Sequence, residues 1–128
     1  MKTAAVIIRW LLGLGFVFFG LNGFIQFLPP QLPEGEHARQ FVTALAASGY
    51  FKVIAALQIA GGALLLWGRY QALGLLLLGP IVVNIVLFHI FLEPKGLPIA
   101  IVFGVLSLFL LWRNLPAYSA IFRPSSVT

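Results

Sequence analysis

The sequence predicts an all-α integral membrane protein: a four-helix bundle of spanning segments, with a short interfacial helix between the first and second. Three observations lead there. The first is composition, since 61% of the 128 residues are hydrophobic and only 9% charged, with a mean hydropathy of +1.04. A soluble domain carries about 25% charged residues. So short a chain buries only about two-thirds of the surface it exposes unfolded, so in water much of this apolar surface would stay wet. The second is the length of the apolar runs, and the third is the placing of the few charges at their ends. The chain is too short for two such units and reads as one transmembrane domain, residues 1–128.

The first span covers residues 4–28, with Arg9 its only charge, and stops at Pro29 and Pro30. The second covers 51–67, beginning after Gly49 and broken by Gly68 and Arg69. The third, 70–92, has His89 as its only ionisable side chain apart from Tyr70, and the fourth, 97–115, holds only Arg113 near its end. A hydrocarbon core about 30 Å thick needs about 20 residues of helix, so each run can cross once. Helix is required because lipid offers no partner for free backbone groups, and no run alternates as a barrel strand would. Between the first two spans, residues 35–48 place Ala38, Phe41, Val42 and Leu45 at i, i+3, i+4 and i+7, with Glu36, His37, Arg39 and Gln40 elsewhere on the wheel. This predicts the interfacial helix, capped by Gly49, acting either as a plain connector or as a lid or partner-docking helix over the bundle.

With a cytoplasmic N-terminus, Lys2, Arg9, Arg69, Arg113 and Arg123 fall on the inner side with no acid among them. Arg39, Lys52 and Lys95 fall outside, balanced by Glu34, Glu36 and Glu93. The positive-inside rule then places both termini in the cytoplasm, with Trp10, Trp67, Tyr70 and Trp112 as an aromatic belt on that side. The same asymmetry accounts for the net charge of +5. No contiguous basic stretch points to nucleic acid. Lys2 and the run after it imitate a signal peptide, but the run exceeds the usual 7–15 residues and the small-residue stretch 44–46 lies well past its end, so an uncleaved first span is expected. Absence of cysteine excludes disulfides, thiolate metal sites, thioether haem and dithiol relays.

Gly13, Gly20 and Gly23 in the first span, Ala56, Ala60, Gly61, Gly62 and Ala63 in the second, and Gly74 and Gly79 in the third are small enough for close helix approach. Pro80 removes a backbone donor and is expected to kink the third span. Polar residues within the spans are the candidate site. Asn22, Gln58 and Asn84 fall roughly 9–12 Å from the outer ends of their helices, with Gln26 and His89 between that layer and the surface. Carboxamides facing hydrocarbon are costly, so an inward polar layer bonding to itself is expected. It serves either as interhelical glue or as a pocket for the polar head of a lipid-like ligand such as a quinone. His89 and Glu93, four residues apart, could pair. No catalytic residue and no metal site is assigned, since the other histidine, His37, lies in the outer loop.

The stretches 9–24 (RWLLGLGFVFFGLNGF), 41–50 (FVTALAASGY), 58–69 (QIAGGALLLWGR), 80–94 (PIVVNIVLFHIFLEP) and 96–98 (GLP) together resemble the DoxX family of small bacterial and archaeal membrane proteins, in particular its DoxX-like branch. The resemblance covers nearly the whole chain and rests on the order and spacing of these stretches. It implies a four-helix bundle in the bacterial cytoplasmic (inner) membrane and a link to redox physiology, through relatives associated with thiosulfate:quinone oxidoreductase and other membrane oxidoreductases. Relatives often carry lysine where Gly23 stands and glutamate where Gln58 stands. This chain has neither charge, which argues against a proton-coupled or anion-binding step through such a pair.

Two functions follow as expectations. The leading one is a non-catalytic accessory or interaction subunit of a membrane complex, with membrane lipids and a membrane protein partner or a second copy as its contacts. The other is a quinone-binding component of an oxidoreductase, with quinone borrowed and no intrinsic cofactor. A transporter is disfavoured because one such chain lacks the paired repeats usual there.

Overall fold

The computed structural model describes residues 2–125, which form helices and no strand. In chain order they are α1 (Lys2–Ile25), α2 (Glu36–Ser48), α3 (Tyr50–Trp67), α4 (Gln71–Phe91) and α5 (Leu97–Arg113). A 3₁₀ turn, Pro94–Gly96, leads into α5, and a 3₁₀ stretch, Leu115–Phe122, follows it. Four helical segments, Lys2–Ile25, Tyr50–Trp67, Gln71–Phe91 and Pro94–Arg113, are long and apolar enough to cross a membrane.

The ends of the helices have local causes. α1 stops short of Leu28 because Gln26 turns into the left-handed region at φ 54°, and the Asn22 Oδ1 accepts a hydrogen bond from the Leu28 amide at 2.9 Å. That side chain satisfies a donor freed where the helix ends ahead of the two prolines. Gly49, at φ 83°, closes α2 and opens α3, as its position in the sequence predicts. Gly68, at φ 80°, closes α3 by donating to the Leu64 carbonyl at 3.1 Å. α4 runs on through Pro80. Beyond the span expected to end at 115, residues 115–122 turn back as 3₁₀ helix, held where the buried Tyr118 hydroxyl donates to the Ala72 carbonyl at 2.8 Å.

α3 is the central helix, and glycines set its distance from both neighbours. A Cβ on Gly62 would lie 2.8 Å from the Gly13 carbonyl of α1 and 3.0 Å from the Val17 amide. On its other side, a Cβ on Gly74 of α4 would lie 2.9 Å from the Gly61 carbonyl. Backbone meets backbone at both seams, the geometry that drives helix association where no water is available to be expelled. Gly79, by contrast, faces open space. Between the seams, Leu12, Phe16, Leu65, Leu75, Leu78, Val82 and Leu110 form one core cluster, with Phe16 edge-on to Phe103 of α5 at 5.6 Å.

The start of α1 and the end of α5 lie at one end of the bundle. There Arg9 Nη1 donates to the Leu65 carbonyl at 2.5 Å and the Leu66 carbonyl at 3.0 Å. A cation on the last carbonyls of α3 satisfies acceptors that the helix leaves open and opposes its dipole. At the opposite end, Lys95 of the α4–α5 turn pairs with Glu34 of the α1–α2 loop. Glu34 is held below the usual carboxylate range, first by that hydrogen bond and then by the ammonium charge.

Candidate functional site

A cavity of about 500 Å³ opens among α2, α3 and α4 at the end of the bundle away from the termini. Its volume falls in the range of small-molecule sites, about 300–1,000 Å³. α2 contributes the side of it expected of a lid, through Phe41, Val42 and Leu45. Those are three of the apolar-stripe positions read from the sequence, and the fourth, Ala38, is fully buried. Across the cavity α4 presents Pro80, Asn84 and His89, and α3 presents Gln58. Phe88 stands between Phe41, at 5.6 Å, and the His89 ring, at 5.1 Å, closing an aromatic wall.

Gln58, Asn84 and His89 are thus brought together, whereas Asn22 and Gln26 are not. The latter two finish α1, one as its side-chain cap and the other as its left-handed residue. The layer does not bond to itself either. Asn84 Nδ2 donates back one turn to the Pro80 carbonyl at 2.8 Å, and His89 Nδ1 bonds the main-chain oxygen of Glu93 at 2.9 Å rather than its carboxylate. Short polar side chains near a helix end or a proline find backbone groups closer than any partner on another helix.

The exception is Gln58. It is 7% exposed, and its Oε1 is buried without a hydrogen-bond partner. An unsatisfied buried acceptor costs about 1–3 kcal/mol. His89 adds a second acceptor, because a carbonyl opposite Nδ1 only accepts. Nδ1 therefore carries the proton, and in the neutral ring Nε2 is bare. Gly96 leaves room for that ring, since a Cβ there would lie 2.2 Å from His89 Cε1. The arrangement suits binding of a hydroxyl-bearing, largely apolar molecule.

Gln58 is recognisable in the sequence as an amide amid apolar residues, and Pro80 as a candidate cavity former. The tie between Arg9 and the end of α3 was missed. Its only trace is an arginine at the start of one span and a glycine cap at the end of the next. Comparison with models of known protein families, with curated proteins and with solved structures gives no match.

Proposed function

We propose that this chain crosses the bacterial cytoplasmic membrane four times with both termini inside, α2 lying at the outer surface, and that it binds a quinol or quinone head in the α2–α3–α4 cavity. In this reading it is an accessory subunit of a membrane oxidoreductase and performs no chemistry of its own. The carrying observation is the buried, unpaired Oε1 of Gln58, a residue in the wall of a mostly apolar cavity that Asn84 and His89 also line. A hydroquinone hydroxyl would satisfy it, and a second hydroxyl could donate to His89 Nε2, while an isoprenoid tail would leave between helices. The resemblance to the DoxX family supports the redox setting, and the many exposed apolar side chains support lipid as the solvent.

The test is purification in mild detergent followed by mass-spectrometric quantification of ubiquinol, menaquinol and their quinones. Wild type should retain quinol, and Gln58→Leu, which removes the orphan acceptor at similar volume, should lower retention about tenfold, the equivalent of one hydrogen bond of about 1.4 kcal/mol. No bound quinol or quinone in wild type, before or after loading, would refute the proposal.

A further inference from the structure

We propose that a basic recess at the end of the bundle carrying both termini holds the phosphate of an anionic membrane phospholipid. The recess, about 290 Å³, lies among the first turns of α1 and α4 and the last turn of α5, lined by Lys2, Arg9, Gln71, Arg113 and Asn114 over Ala5, Val6 and Leu110. It is remote from the Gln58 cavity, and nothing in its case depends on a quinol.

Its cations have no counter-ion within the chain's side chains. The only carboxylate side chains are Glu34, Glu36 and Glu93. Glu34 pairs with Lys95 at the opposite end of the bundle, and the other two belong to the same end, Glu36 at the start of α2 and Glu93 after α4. The side chains of Lys2 and Arg113 make no hydrogen bond or ion pair among the described residues. Arg9 spends one nitrogen on the α3 carbonyls, leaving other N–H groups of its five-donor fork for a ligand. Like charges gathered in a concave site raise the local concentration of anions, and an arginine fork matches phosphate oxygens.

The occupant is a lipid rather than a free anion because of what surrounds the recess. Ala5, Val6 and Leu110 make its apolar floor, and exposed Val6, Ile7, Trp10 and Trp112 continue that surface along α1 and α5. A phosphodiester could seat among the cations while its acyl chains run down these faces. Inorganic phosphate would gain nothing from them.

Native mass spectrometry of the full chain in detergent, loaded with phosphatidylglycerol or phosphatidylcholine of matched acyl chains, decides the matter. Wild type should retain phosphatidylglycerol about tenfold more than phosphatidylcholine, a difference of about 1.4 kcal/mol. Lys2→Gln with Arg113→Gln should abolish that preference, and Arg113→Lys alone should keep most of it; helical circular dichroism of each variant should match wild type. Added millimolar inorganic phosphate should leave the lipid bound. Equal retention of the two lipids by wild type would overturn the proposal without recourse to any variant. An undiminished preference in a folded double variant, or displacement of the lipid by inorganic phosphate, would do so as well.

Discussion

His89 illustrates how one backbone atom can set the chemistry a side chain offers. The Glu93 carbonyl 2.9 Å from Nδ1 selects the Nδ1–H tautomer, so ¹⁵N NMR of the chain, whose only other histidine is His37, should show one ring protonated at Nδ1 with Nε2 bare. A ring protonated at Nε2 would contradict the hydrogen bond. Gly96→Ala would drive a Cβ into that ring. The expected result is loss of the tautomer signature and about tenfold weaker quinol retention with helix content unchanged. Tyr118 carries a separate test. It is 4% exposed and its hydroxyl donates to Ala72 at 2.8 Å, and burial pushes its pKa up from 10.0. Because the folded value is the higher one, the contribution is whole below the unfolded pKa and lost as pH climbs through the folded pKa. Tyr118→Phe should therefore lower stability by about 0.5–1.5 kcal/mol at neutral pH, and the gap from wild type should close well above pH 10 in thermal melts. A gap that persists there would argue against the buried phenol.

Among the elements, α3 depends on its two glycine seams, and the identity of the atoms opposite each glycine decides what a substitution does. Opposite Gly62 stand the Gly13 carbonyl and the Val17 amide, which cannot swing aside as a side-chain tip can. Gly62→Val should cost about 1–3 kcal/mol or more through forced separation of α1 from α3. Gly79→Ala meets nothing within 4 Å and should leave the melting point unchanged or raise stability by up to about 1 kcal/mol. Both are read by thermal unfolding in detergent. Similar losses for the two would mean that helix propensity, not close approach, governs glycine here. α2 differs from the spans in kind. Three of its four stripe residues, Phe41, Val42 and Leu45, line the cavity, and the fourth, Ala38, is buried.

For the whole molecule, the apolar surface fits the proposal that lipid is the solvent. Only 11% to 28% of the most apolar window of each candidate span is buried within the bundle, and large apolar side chains such as Ile25, Ile99 and Leu108 are exposed, more than soluble monomers usually show. The expected outcome of alkaline carbonate washing is a chain that stays in the membrane pellet. Since the chain has no cysteine, Gln40→Cys and Ser119→Cys each introduce a single exposed thiol. In intact cells stripped of their outer barrier, the first should react with a membrane-impermeant maleimide and the second only after lysis. The opposite pattern would invert the proposed topology, and equal labelling of both would exclude an odd number of crossings between them.

What the residues alone determined was everything that depends on counting along the chain: the runs long enough to cross a membrane, the amphipathic stripe of α2, and the glycines that end α2 and α3. Hydrophobicity and helix period are local quantities, so they survive without knowledge of the neighbours. Depth along a helix is also local; it placed Asn22, Gln58 and Asn84 in one layer with Gln26 and His89 beyond it, and Gln58, Asn84 and His89 line one cavity. Asn22 and Gln26 instead finish α1, because depth says nothing of the direction in which a side chain points or of a nearer backbone amide. Only the packed bundle decided that Asn22 would cap α1, that Gln58 would be left with an unanswered oxygen, and that Arg9 would reach the carbonyls of another helix. Each of those outcomes turns on a hydrogen bond made or missed within about 3 Å, a scale at which a helix rotated by one residue changes every partner.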